Sequence, residues 1–147
     1  MRTLHTDVII KNVKEMCIEA NLHLSKDMQE AIKQAKASET GELGKQILGQ
    51  LCENMEIAAK EEIPICQDTG MACIFIEVGQ DVHIEGNLEE AIHEGVRQGY
   101  EQGYLRKSVV DDPVFDRINT KDNTPAIINY TITTGDKIKI FSYKNKA

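Results

Sequence analysis

Met71-Ala72-Cys73-Ile74-Phe75-Ile76-Glu77-Val78 is almost unbroken apolar sequence, the pattern of a strand covered on both faces. Ahead of it the apolar residues recur at helical steps. Val8, Ile9, Val13, Met16, Cys17 and Ala20 lie three and four residues apart behind Thr6-Asp7, which caps and charge-complements a helix start, and Asn21 is the expected stop. Ser25 caps a second helix running to about Ala37, with Met28, Ala31, Ile32 and Ala35 on one face. A third begins after Ser38-Glu39-Thr40 and carries Leu43, Ile47, Leu48, Leu51, Met55, Ala58 and Ala59, and Pro64 closes the helical region.

On the far side of the apolar strand, Gly79-Gln80 leads into Asp81-Val82-His83-Ile84-Glu85, whose alternation suits a partly exposed antiparallel strand. Asn87-Leu88-Glu89-Glu90 resembles a capping box and opens a helix with Leu88, Ala91, Ile92, Val96, Gly99, Tyr100 and Gly103 toward one side. Gly95, Gly99 and Gly103 each cost that helix about 1 kcal/mol relative to Ala, so something must approach closely there, either the sheet or another subunit. A turn-rich stretch from Asp111 to Pro125 precedes two strands, Ala126 to Thr133 and Lys137 to Tyr143, that read as a hairpin around Thr134-Gly135-Asp136. The predicted class is α+β: three N-terminal helices, a strand pair around residues 71–85, one further packed helix, and a hairpin completing a small, mostly antiparallel sheet. Residues 1–147 read as a single domain.

The chain has 147 residues, is 41% hydrophobic and carries a net charge of −7. An acidic excess argues against a nucleic-acid surface, and 5% aromatics leave few platforms for stacked bases. No apolar run reaches membrane-spanning length and the N-terminus lacks a signal-peptide core, so a cytoplasmic protein with a small soluble partner is expected. Cys17, Cys52, Cys66 and Cys73 lack any close-paired spacing and are expected to be reduced thiols, with Cys17, Cys52 and Cys73 packed in the core. His83 has no second His at a metal-binding spacing and reads as a strand-surface imidazole.

Three stretches could carry chemistry. Cys66-Gln67-Asp68-Thr69-Gly70 packs a thiol, an amide, a carboxylate, a hydroxyl and a glycine between helix and strand, behind the rigid lead-in Ile63-Pro64-Ile65. Its cysteine suits a metal ligand or a nucleophile, although no neighbouring His activates it, and a structural loop cysteine is the plainer reading. Arg106, followed by Lys107, could clamp a carboxylate bidentately or simply complement a helix C-terminus. Asn119-Thr120-Lys121-Asp122-Asn123-Thr124-Pro125 reads as an Asx-type turn ahead of a strand.

These strings occur in one order with Gly79-Gln80-Asp81, Glu94-Gly95-Val96-Arg97, Gly103-Tyr104-Leu105-Arg106-Lys107-Ser108 and Asp112-Pro113. From near residue 1 to about Ile140 the set resembles the α subunit, or N-terminal domain, of the class I fumarase and L(+)-tartrate dehydratase family of iron–sulfur hydro-lyases. The resemblance implies reversible hydration of a dicarboxylate, fumarate to L-malate or the corresponding dehydration of tartrate, at a [4Fe-4S] cluster held by three cysteines with one iron open to substrate. It implies that Cys66 is one of the cluster ligands. It also implies that Gln67 and Asp68 contact substrate, with Asp68 aiding proton transfer, and that Arg106 grips a carboxylate.

Only one of the three cluster cysteines has a counterpart, since Cys17, Cys52 and Cys73 do not match the others, and Phe141 to Ala147 departs from the family pattern. The chain is therefore expected to be the front part of an α subunit, inactive and without a stable cluster when alone, and to pair with a β subunit or with itself. A truncated, non-catalytic folding or interaction module is the competing reading. A redox-sensing thiol protein is the third.

Overall fold

In a computed structural model describing residues 2–66 and 70–144, the class is α+β. The elements run β1 (Arg2–His5), α1 (Thr6–Leu22), α2 (Lys26–Ser38), α3 (Glu42–Glu61), β2 (Ala72–Gly79), β3 (Val82–Glu85), α4 (Leu88–Gln102), β4 (Ile127–Thr133) and β5 (Ile138–Lys144). Contacts divide the chain into two compact units, one of Met1–Ile18 with Asp68–Ala147 and one of Glu19–Gln67.

The second unit holds the last turn of α1, then α2 and α3. Ser25 occupies the position before α2, as expected, but without a side-chain capping bond. α3 likewise starts without a side-chain capping bond, and the turn ahead of it is closed by Glu39, whose Oε1 accepts from the N–H groups of Thr40 and Gly41, both at 2.8 Å. Glu62 ends the helix in the left-handed region at φ 52°, and its N–H returns to the carbonyl of Ala58. Cys52, Met55 and Ala58 form the buried stripe of α3.

The first unit is built around β2. Its residues Ala72, Ile74 and Ile76 are buried together with Ile9, Val13 and Cys17 of α1 and Ala91, Ile92, Val96 and Tyr100 of α4. The expected capping of α4 is present: the side chain of Asn87 accepts from Glu90 N–H at 3.1 Å. The surface that the glycines of α4 open is filled by α1, and neither the sheet nor a second subunit is needed to account for it. A Cβ on Gly95 would lie 2.7 Å from the Val13 Cβ and 2.9 Å from the Ile10 carbonyl oxygen, and one on Gly99 would lie 2.8 Å from the Cys17 Cβ.

Strand pairing departs from the sequence expectation. The sheet is mixed, not mostly antiparallel: β4 runs parallel to β2, β5 runs antiparallel to it, and the order is β4-β2-β5. The two C-terminal strands therefore form no hairpin with each other, because β2 lies between them. Nor do β2 and β3 pair. β3 runs parallel to β1, a strand unrecognised in the sequence, with Leu4 opposite Ile84.

The reason lies at Gly79-Gln80-Asp81. Their N–H groups donate to the carbonyls of Lys137, Thr133 and Gly135, all at 2.9 Å, so this segment fills the β4–β5 connection and cannot fold back as a tight turn. A Cβ at Gly79 would sit 2.3 Å from the Gly135 oxygen. Central placement gives β2 hydrogen-bonded neighbours on both edges, and its most apolar sequence follows from that position.

Two glycine substitutions should move stability in opposite directions. Gly95→Ala drives a methyl into α1 and is expected to lower unfolding stability by about 1–3 kcal/mol. At Gly49, inside α3, the nearest atom to an added Cβ is the Lys36 Nζ at 3.8 Å, so Gly49→Ala should gain about 0.5–1 kcal/mol from helix propensity. Urea denaturation of the two variants beside the wild type measures both.

Candidate functional site

The stretch leading to Cys66 is pinned within the second unit. Ile63 N–H closes the end of α3 on the Ala58 carbonyl at 3.2 Å, and Ile65 N–H donates to the Asn21 carbonyl at 2.8 Å. Cys66 N–H donates to Asn54 Oδ1 at 3.2 Å. Ile65 is buried whereas Cys66 is exposed, so this backbone delivers a thiol to solvent at a fixed place. All four cysteines are free; Cys17, Cys52 and Cys73 are buried, as expected, and burial pushes the Cys17 thiol up to about 12. Gln67 and Asp68 lie outside the described residues. His83 is exposed, as a strand-surface residue should be. Among the described residues no group of three or more His, Cys, Asp or Glu side chains is arranged to hold a metal ion.

Arg106 belongs to the first unit. After α4 the chain turns at Tyr104 (φ 52°), and Leu105 N–H donates to the Tyr100 carbonyl at 3.0 Å. Leu105 and Val109 are buried, which anchors both ends of the segment, while Arg106 itself is exposed. The two adjacent cations separate in role. Lys107 is ion-paired with Glu101 at the end of α4, the helix-terminal role, and Arg106 sits on a backbone held on either side. A planar five-donor fork on a fixed segment suits bidentate recognition of a carboxylate.

The 119–125 stretch is an Asx-rich turn, as read. Asn119 Oδ1 accepts from Lys121 N–H at 2.7 Å, and Asp122 Oδ1 accepts from Thr124 N–H at 2.9 Å and Thr124 Oγ1 at 2.7 Å. It is also tied to the Arg106 segment: Asn119 Nδ2 donates to the Lys107 carbonyl at 3.0 Å, and Thr120 N–H to the Val109 carbonyl at 3.0 Å. At its centre Asn123 is fully buried, and its Oδ1 accepts from Ser108 and Val109 N–H at 2.7 and 3.1 Å. Its Nδ2 donates to the carbonyl of Gly70, 3.4 Å away, so three stretches singled out in the sequence meet at this side chain.

Sequence reasoning missed Asn54, Asn123 and Arg97 as organisers. Arg97 Nε donates to Asp122 Oδ2 at 3.1 Å while its Nη1 pairs with Glu94. The only sequence signal was the i,i+3 spacing of Glu94 and Arg97. Partial burial pushes the Asp122 carboxyl up, but the N–H and hydroxyl of Thr124, with Arg97 and Thr120, outweigh it and hold the group at about 2.

A profile of the fumarate hydratase (Fumerase) family matches residues 10–145, and the chain belongs to that family. Among curated relatives, the L(+)-tartrate dehydratase α subunits of two Escherichia coli strains are 31% identical over 121 residues and 34% identical over 98. These alignments cover 80% and 67% of this chain and 39% and 32% of the relatives. A putative L(+)-tartrate dehydratase α subunit from Methanocaldococcus jannaschii is 32% identical over 78 residues, 53% of this chain and 26% of the relative. The aligned region thus spans about a quarter to two-fifths of the length of these relatives.

Two measurements follow from the site. Under native conditions a thiol reagent should modify Cys66 rapidly and the other three cysteines only on unfolding, and Cys66→Ser should abolish the fast phase. Asp122 has a depressed folded value, so its contribution to stability is present above the ordinary carboxyl value of 3.8 and is lost as pH falls through about 2. Asp122→Asn should therefore show a shallower loss of stability across that acid window than the wild type, as followed by thermal melts.

Proposed function

We propose that this chain supplies part of the substrate pocket and one cluster thiolate of an iron–sulfur hydro-lyase that reversibly hydrates a dicarboxylate. Fumarate to L-malate is the leading reaction and dehydration of L(+)-tartrate the other. The observation that carries the reading is the exposure of Cys66. Of four thiols it alone is solvent-facing, at the position matching the family's cluster cysteine and on a backbone held by Asn21 and Asn54.

The described residues fit one ligand of a [4Fe-4S] cluster. They do not make up a complete set, because the three other thiols are buried as small apolar groups. The remaining ligands would come from another polypeptide segment, and the names of the relatives, as α subunits, support a β-subunit partner. The chain's own residues bind and orient. Arg106 takes one substrate carboxylate in its guanidinium fork, Gln67 donates a hydrogen bond from its amide, and Asp68 holds a proton or orients the group that moves it. Local cations of this kind overcome the general acidity of the chain toward a dianion. Free thiols throughout support a reducing, cytoplasmic setting, and among the described residues no helix is long and apolar enough to cross a membrane.

The incomplete ligand set also favours one second reading, a non-catalytic module that folds and associates without a cluster. Anaerobic reconstitution with iron and sulfide separates the two. The 147-residue chain alone is expected to show neither a stoichiometric cluster absorption nor fumarate turnover. Turnover should appear on mixing with the remaining family segments and a β subunit. In that mixture Arg106→Gln should weaken fumarate recognition about ten- to hundredfold in KM. A complete mixture that stays inert, or one indifferent to Arg106→Gln, would leave the module reading in possession.

A further inference from the structure

Asn123 is 0% exposed and sits at φ 61°, a backbone region that Asn tolerates better than most side chains. A buried primary amide brings four bonding positions into the interior, two acceptor sites on Oδ1 and two N–H groups on Nδ2. Ser108 and Val109 N–H fill both acceptor sites. One Nδ2 hydrogen goes to the Gly70 carbonyl. The phenol of Tyr100, on α4, lies beside the same side chain. An apolar residue of equal size would fill the space and orphan two backbone N–H groups and a carbonyl, each costly when buried. Position 123 is thus satisfied only when Gly70 and the Ser108–Val109 backbone stand at fixed places together.

The neighbours hold it there. Asp122 is fixed by Arg97 and Thr124, and Ala126 N–H donates to His93 Nδ1 at 3.3 Å, so the loop is fastened to α4 on both sides of Asn123. We propose that Asn123 is a positioning residue: it sets the separation between Gly70, where the chain leaves Gln67-Asp68-Thr69, and the Arg106-bearing segment. Its existence as a clamp rests on the hydrogen bonds above, and its purpose rests on the dicarboxylate reading.

Amide hydrogen exchange on the full chain tests the clamp without any ligand. In the wild type, Ser108 and Val109 should exchange only through global unfolding. Asn123→Gly keeps the left-handed backbone and removes every side-chain bond, so exchange at these two amides should accelerate at least about tenfold beyond any change elsewhere. Asn123→Asp keeps the acceptors and, when ionised, has no donor for Gly70. Protection at Ser108 and Val109 should persist while the Gly70 carbonyl-carbon resonance moves toward that of an unbonded carbonyl. Val96→Ala, in the fully buried core of α4, is the control for a purely structural loss and should speed exchange uniformly.

A uniform effect of Asn123→Gly matching that of Val96→Ala overturns the proposal. So does rapid local exchange of Ser108 and Val109 in the wild type, a result that decides even where neither variant folds. In a complemented, active assembly Asn123→Asp should raise KM for fumarate about tenfold with kcat less affected, and Val96→Ala should leave KM unchanged. An unaltered KM overturns the positioning role. An assembly that never turns over counts against the dicarboxylate reading while the exchange pattern still judges the clamp.

Discussion

The direct contact of α4 with α1 is the constraint on which the first unit depends. With no side chain at Gly95 or Gly99, the α4 backbone comes within reach of Val13, Cys17 and the carbonyls of Ile10 and Lys14. Glycines at these positions weaken the isolated helix, and packing has to offset that loss. The return is that Ile92, Val96 and Tyr100 reach the core face of β2 beside Ile9 and Val13, each fully or almost fully removed from water. Tyr100 then places its phenol against Asn123, and the Tyr100 carbonyl receives the Leu105 N–H. One helix–helix approach thereby fixes the turn that precedes Arg106 and sets the Tyr100 ring beside Asn123.

Local signals in the sequence were faithful where the physics is local. The ends of α1, α2 and α4, the Asn87 cap, the stop before Pro64 and the apolar character of β2 depend on neighbours a few residues away and are legible there. Strand partnership is not local. A four-residue β1 with the sequence Arg-Thr-Leu-His carries no alternation long enough to notice, and nothing in Val82 to Glu85 says that its partner lies some eighty residues earlier. The β4–β5 segment has the composition of a hairpin. It opens because the three N–H groups of Gly79, Gln80 and Asp81 find their carbonyls inside its connection, and that exchange of partners is invisible until β2 is in place.

The same division runs through the site. Burial of Cys17, Cys52 and Cys73 followed from their place in apolar periodic stretches, because a thiol there behaves as a small hydrophobe, whereas the exposure of Cys66 is seen only in the structure. The Asx turns at Asn119 and Asp122 were also legible, since each closes on a backbone N–H two residues on. Asn123 directly follows Asp122 and looks the same in sequence. Its side chain instead turns inward to partners 14, 15 and 53 positions away. A polar residue's role is set by whether it is solvated or sealed, and only the packed structure decides that.

Charge placement sets the terms on which this acidic chain would meet the proposed anionic substrate. Arg97 lies among Glu90, Glu94 and Asp122, and Lys107 is matched to Glu101, so these cations neutralise carboxylates of the fold itself. Pairing of this sort keeps Asp122 ionised and offsets its charge near the loop. It does not provide a surface that attracts dianions at long range, which a net charge of −7 opposes in any case. On the proposed reading, recognition is short-ranged and geometric, made by a guanidinium whose supporting backbone is anchored at Leu105 and Val109. A site of that kind gains selectivity from rigidity and not from field strength, and rigidity is what the proposed clamp at position 123 would confer.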